Sequence, residues 1–397
     1  MRAFALLPFL IGCLLVPWSF ANGAAGISLL VPSSSLGLAG DKELGLIVDQ
    51  YNRDKASKPE EKILLVRRGE EFSTLREFMS RHLAGDTPTL AAIDPAELPA
   101  MGAASRLLVP PPEKLRKRVA ELDAGGPKSR ALAFQRAIPV LVVNQDHAAI
   151  GSGPLPSSWS ALTQLAEKVA RLGAQSESRA LALPLQGSRG LWLLEALSGK
   201  RLWTREPGGL KTNRALASAV ASLQALFSES RSLAVPDQSF DQALKSFIDG
   251  KTPILVASLD ALPSIASQAA FHWAAGPLPR LESGIANLQT GNSLVVTRDD
   301  PAVWKFLDYL YSADVAGRWA ASAGLLPVAP DVQLAVSWRK LASIPRNGAS
   351  QRATDEDVLR ARSEWIQALH LLFGEASRRV PFQDIATQLD SKLARSH

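Results

Sequence analysis

Gly291-Asn-Ser-Leu-Val-Val-Thr-Arg-Asp-Asp-Pro301, continuing through Ala323-Gly-Leu-Leu-Pro-Val328, is the stretch whose reading decides the fold. Asn292 to Thr297 is rich in β-branched residues and stops at Arg298-Asp-Asp-Pro301, which predicts a short strand. Asp299 or Asp300 then supplies an N-cap, with Pro301 at the first helical position, where a missing N–H costs nothing. Val303, Phe306, Leu307 and Leu310 recur at helical spacing. Asp314 is expected to cap a second helix carrying Val315, Trp319 and Ala320, ended by Gly324 as a left-handed cap. Leu326 precedes Pro327 and is driven to extended geometry. The pattern is an excursion of one strand and two helices between two extended crossings, as a two-lobed chain requires.

Two upstream segments fit the same plan. Phe134-Gln-Arg-Ala-Ile-Pro139-Val-Leu-Val-Val-Asn144-Gln-Asp146 is followed by Pro156-Ser-Ser-Trp159, which opens a helix. Phe247-Ile-Asp-Gly250-Lys-Thr-Pro-Ile-Leu-Val-Ala-Ser258 reads as a helix end, a turn and a buried strand. Taken in order, the three segments resemble the extracellular solute-binding proteins of ABC importers, of the maltose- and glycerol-3-phosphate-binding type. The family has Pro-Val-Leu-Tyr-Tyr-Asn-Lys-Asp at the first segment, Phe-x-x-Gly-Lys-Ala-Ala-Met at the second, and a Gly-hydrophobic-Pro exit at the last.

The resemblance implies an α/β fold of two lobes, each a mainly parallel sheet flanked by helices, joined by three inter-lobe crossings. It divides the chain into lobe 1 (22–139 plus 292–327) and lobe 2 (140–291 plus 328–397). Carried over residue by residue, the family pattern places ligand-facing positions at Glu71, Asp94 and Ser258. It puts Gly291, with Asn292 beside it, before the second crossing strand, and matches a late-loop arginine loosely at Arg346. Arg136 and Ala137 stand where the family has serines. Trp192, in Gly187-Ser-Arg-Gly-Leu-Trp192, resembles a family tryptophan and is the best aromatic platform; core packing is the competing reading. The aromatic expected after Gly324 is absent, so the scaffold matches better than the pocket.

Strand and helix patterns alternate from the start. Gly26–Val31, Lys62–Arg67 and Leu90–Ile93 read as strands, and Leu44–Tyr51 and Phe72–Leu83 as helices, which argues a parallel sheet. Ligands lie outside the carboxyl ends of such strands. That rim holds Ser34 in the loop after the first strand, Glu71 after the second and Asp94 after the third. Helices are expected at Trp159–Leu172, Asn213–Phe227 and Phe240–Ile248, and strands at Leu181–Leu183 and Ile254–Ala257.

Met1-Arg2 followed by Ala3 to Leu15 is a basic n-region and an apolar h-region, and Ser19-Phe-Ala21 offers small residues for cleavage. Residues 1–21 therefore read as a secretory signal, with the mature chain in the periplasm. Leu10-Ile-Gly-Cys13 also fits a lipobox, but few residues precede Cys13 and apolar sequence continues beyond it, so a lipid anchor is the weaker reading. Cys13 is the only cysteine, so a chain cleaved at Ala21 has neither disulfides nor thiol chemistry.

The formal net charge is +6, and its densest runs, such as Lys114-Leu-Arg-Lys-Arg118, fit a solvated helix face rather than a nucleic-acid stripe. The five histidines are scattered, which argues against a transition-metal site. There is no nucleophile elbow, Walker loop or dinucleotide fingerprint, so no positive case for catalysis or a cofactor exists. The expected function is capture of a small polar solute (a sugar, polyol or glycerol-phosphate-like molecule) for an ABC permease, by a protein that is monomeric as the family implies. The alternative is an exported sensor or accessory protein on the same scaffold. Arg136 or Arg346 would favour an anionic group.

Overall fold

A computed structural model describes residues 26–32, 37–68, 73–95, 97–119, 130–172, 179–206, 209–227, 233–234, 239–281, 290–328, 356–374 and 380–394. Two sheets organise them. The first contains β1 (Ile27–Val31), β2 (Ile63–Arg67), β3 (Leu90–Ile93), β4 (Ala131–Ala133) and β11 (Ser293–Val296), in the order β2-β1-β3-β11-β4. The second contains β5 (Pro139–Asn144), β6 (Leu181–Ala182), β9 (Ile254–Ser258) and β10 (Trp273–Pro277), in the order β10-β5-β9-β6. A separate hairpin pairs β7 (Trp203–Glu206) with β8 (Gly209–Thr212).

Only part of the expected parallel pairing is present. β1 is parallel to β2 and to β3, and β6 to β9. β11 runs antiparallel to β3 and β4, and β5 antiparallel to β9 and β10. The reason is the crossings. Strands that end at the rim between the lobes share one direction, whereas a strand arriving across that rim must run away from it. β5 and β11 are the two arriving strands, and each sheet is mixed on their account.

Both sheets are covered on both faces, and side-chain alternation sorts each strand between two cores. Leu294 and Val296 of β11 join one core while Val295 joins another. Val140 and Val142 of β5 face the first core, and Leu141 and Val143 the core of the second lobe. The first core receives α1 (Gly37–Asp54), α3 (Glu113–Val119), α9 (Pro301–Leu310) and α10 (Ala313–Ala323), and continues under the crossings to α7 (Phe240–Ile248) and α8 (Leu262–Gln268). α2 (Ser73–Leu83) and a 3-10 segment, Leu98–Leu107, close the other face of the first sheet. In the second lobe α4 (Trp159–Leu172), α5 (Gly187–Ser198) and α6 (Ala217–Leu226) share a core with α11 (Glu356–Phe373) and α12 (Phe382–Leu393).

The opening stretch folds as its residues dictate. Asp300 is the N-cap of α9, its carboxylate accepting the Ala302 N–H at 2.8 Å. Asp299 accepts from the Trp304 indole instead, at 2.7 Å. Asp314 is not the cap of α10: Ser312 holds that position, and Asp314 lies in the first turn, where its charge favours the positive helix end. Gly324 ends α10 with φ +67°, and a Cβ there would meet the Leu259 carbonyl oxygen at 2.5 Å.

Candidate functional site between the lobes

Three chain segments pass between the sheets and are laced to one another. The Phe134 and Gln135 N–H groups both donate to the Asn292 carbonyl at 3.0 Å, and Ala137 and Thr290 exchange a pair of backbone bonds at 2.9 and 3.0 Å. Leu326, on the third segment, donates its N–H to the Arg136 carbonyl at 2.7 Å. The Arg136 side chain ties the same place together. Its Nη1 donates to the carbonyls of Gln135 and Asn292, each at 2.6 Å, and its Nη2 to Ser293 Oγ at 3.0 Å. Asn292 Nδ2 donates to Gln135 Oε1 at 2.5 Å. The structure therefore brings buried Arg136 and Asn292 and half-buried Gly291 into one knot. There the Arg136 guanidinium donates to the crossing segments.

Ser258 closes β9 opposite Pro139, so it stands where the chain has just crossed. Its Oγ is buried and has no hydrogen-bond partner. Two residues on, Asp260 is also buried; its Oδ2 accepts from Arg189 Nη2 at 2.8 Å while Oδ1 has no partner. Arg189, from the first turn of α5, also lies over the Phe240 ring, 4.3 Å from its centroid. An orphaned buried hydroxyl or carboxylate oxygen costs about 1–3 kcal/mol, so two within three residues form a local excess of hydrogen-bonding capacity. The turn that carries them packs against α1 of the first lobe and lies under Gly324. This puts the excess at the boundary of the lobes.

Asp94, at the end of β3, meets Arg362 of α11, Oδ2 to Nη2 at 3.0 Å. Arg362 also acts on Glu195 of α5, which pairs with Arg201 at 3.3 Å and accepts the Leu202 N–H at 3.1 Å. Burial pushes the Glu195 carboxyl above the ordinary carboxylate range, against the pull of Arg201, the Leu202 N–H and Arg362.

The remaining candidates part ways. Trp192 lies within α5 and is buried in the second-lobe core. Ser34, Glu71 and Arg346 lie outside the described residues. Arg189, Asp260 and Arg362 were not foreseen. Asp260 was within reach of a sequence reading, as an acid two residues beyond a strand assigned to the rim; Arg189 and Arg362 are helix arginines whose partners are far away in sequence. Among the described residues no group of three His, Cys, Asp or Glu side chains could hold a metal, and no helix is long and apolar enough to cross a membrane.

A family profile described as bacterial extracellular solute-binding protein matches residues 81–346, two-thirds of the chain. The chain belongs to the bacterial extracellular solute-binding proteins. It is thus an exported binding protein on the two-lobed scaffold. Several solved structures share that fold. One is UgpB from Mycobacterium tuberculosis in complex with glycerophosphocholine, 17% identical with a TM-score of 0.70 over 94% of this chain and 98% of that one. The GacH receptor of Streptomyces glaucescens, solved unliganded and with acarbose, is 14% identical at TM-score 0.72, over 94% and 99% of the two chains. An ABC transporter solute-binding protein from Thermotoga lettingae, bound with α-D-tagatose, is 17% identical at TM-score 0.72, over 93% and 99%. No curated protein sequence matches the chain.

Proposed function

We propose that this chain is the substrate-binding component of an ABC importer and that it takes a small, neutral, hydroxyl-rich solute, a sugar or polyol. The observation that carries the choice is the pair of orphaned oxygens, Ser258 Oγ and Asp260 Oδ1, at the boundary of the lobes. A carboxylate oxygen accepts from ligand hydroxyls, and a serine hydroxyl both donates and accepts. The Arg189 guanidinium balances the Asp260 charge at 2.8 Å, so neither an anion nor a cation is strongly favoured there. Arg136, the candidate for an anionic group, donates to the crossings, which leaves Arg346 as the remaining candidate for a phosphate. Glycerophosphocholine, acarbose and tagatose, bound by proteins of this fold, span the solutes to be tried.

The mechanism is closure about the laced crossings. A solute that touches both lobes binds the closed state better than the open one and shifts the population toward it. Asn292 and Ser258 bring the crossing and the second-lobe rim to the solute. Ser34, Glu71 and Asp94 are the contacts proposed from the first lobe. The lobes are taken as 22–139 with 292–327, and 140–291 with 328–397. Residues 1–21 act as a cleaved signal and the mature protein works in the periplasm as a monomer. It passes its solute to a membrane permease and performs no catalysis.

A thermal-shift screen of sugars, polyols, glycerophosphodiesters and amino-acid derivatives tests the reading. A solute at a hundred times its Kd stabilises the fold by about 2.7 kcal/mol through linkage. A neutral polyhydroxylated hit supports the proposal; a hit confined to phosphodiesters, or none at all, contradicts it.

A further inference from the structure

The pair formed by Asp94 and Arg362 spans the two lobes. Asp94 follows directly on β3 of the first sheet, in a turn closed by the Glu97 N–H donating to the Asp94 carbonyl at 2.8 Å. Arg362 belongs to α11, whose Trp365, Leu369 and Leu372 are buried in the second-lobe core against α5. The two side chains are only 18% and 13% exposed, so their 3.0 Å contact is largely shielded from water. Beside it, the 3-10 segment Leu98–Leu107 of the first lobe packs on α11. Within the second lobe Glu195 already has Arg201 at 3.3 Å, and Arg362 approaches it as a further positive charge. Asp94 answers Arg362 from the other lobe with a carboxylate.

We propose that Asp94 and Arg362 form a latch that biases the unliganded protein toward closed lobes, so that opening must release this pair and the solute adds to the bias. The physical basis is the shielding. A charge pair excluded from water interacts far more strongly than the same pair on an exposed surface, and parting the lobes separates two groups anchored on different rigid bodies. Asp94 is held by its own turn and Arg362 by a packed helix, so neither can follow the other. A charge pair of this kind biases a two-state element without touching the residues that define the fold. The latch goes beyond solute capture and acts in its absence.

The test uses unliganded protein with spin labels at Ala103→Cys in the first lobe and Lys168→Cys in the second, both exposed positions. The predicted mature chain carries no other thiol. Double electron–electron resonance is expected to give one dominant short distance for the parent protein. Asp94→Asn, which keeps the shape and removes the charge, should shift the closed-to-open ratio by about tenfold toward open. Arg362→Gln should do the same. The charge exchange Asp94→Arg with Arg362→Asp should recover part of the short population. Far-UV circular dichroism and the melting temperature verify that each variant is folded. An Asp94→Asn protein that melts lower yet keeps the parental distance distribution would overturn the latch, as would a parent protein that is already open. Neither result depends on which solute is bound, so a failed latch leaves the transport reading untouched.

Discussion

Gly291 lies against Gln135 so closely that a Cβ added to the glycine would sit 2.2 Å from the Gln135 carbonyl oxygen. Its φ of +127° is a conformation that residues with side chains rarely adopt. The two residues sit on the first and second crossings, so this contact sets how closely the crossings can run together. Gly291→Ala is expected to destabilise the fold by about 3 kcal/mol through steric conflict and backbone strain. A fall in the urea midpoint with an unchanged slope checks it.

Arg136 binds the same crossings from the side-chain direction. Its guanidinium donates to the Gln135 and Asn292 carbonyls and to Ser293 Oγ, and a hydrogen bond to a charged group contributes about 1.5–3 kcal/mol. Arg136→Met should cost about 3 kcal/mol in equilibrium unfolding. Arg136→Lys should recover little of this, since an ammonium cannot reproduce the planar fork.

Trp192 separates a platform from a core residue. Its ring is buried in the second-lobe core, so Trp192→Ala should lose about 4 kcal/mol of stability. Calorimetric melting reads the loss directly. A variant that keeps its melting temperature but loses solute affinity would instead assign the ring to the ligand.

These residues show how far the sequence carries. The strand and helix positions were legible because period, caps and punctuation are local: α4 at Trp159–Leu172 and α7 at Phe240–Ile248 lie where the apolar spacing put them. The cap at Asp300 and the turn at Gly324 were legible for the same reason. Sheet direction was less so. The helical connections of the first three strands imply parallel pairing, but β5 and β11 reverse it, and nothing local marks a strand as an arrival from the other lobe. Ser258 was reached through a family likeness, Asp260 and Arg362 not at all. Their meaning comes from partners such as Arg189 and Asp94, which only the folded chain brings near.

The tyrosines offer a spectroscopic check. The chain has three, Tyr51, Tyr309 and Tyr311. Burial, aided by the negative charge of Glu61, pushes the Tyr51 phenol from 10.0 up to about 12, and burial also raises Tyr309. A folded-state value above the unfolded one means that the native protein holds its proton longer. The stability from neutral Tyr51 is fully present below pH 10 and is lost as pH rises toward about 12. Absorbance at the phenolate band should therefore lag in the native protein relative to protein in denaturant, and Tyr51→Phe should remove part of that lag.

In the proposed complex a neutral polyhydroxylated solute is held at the lobe boundary by Ser258 and Asp260. Isothermal titration of the solute identified by thermal shift, into the parent protein and into Asp260→Ala, tests it most directly. The parent should give a saturable, one-to-one isotherm and the variant an affinity weaker by about 10- to 100-fold, for one or two lost hydrogen bonds to a charged acceptor. An Asp260→Ala protein that is folded and binds as tightly as the parent would contradict it.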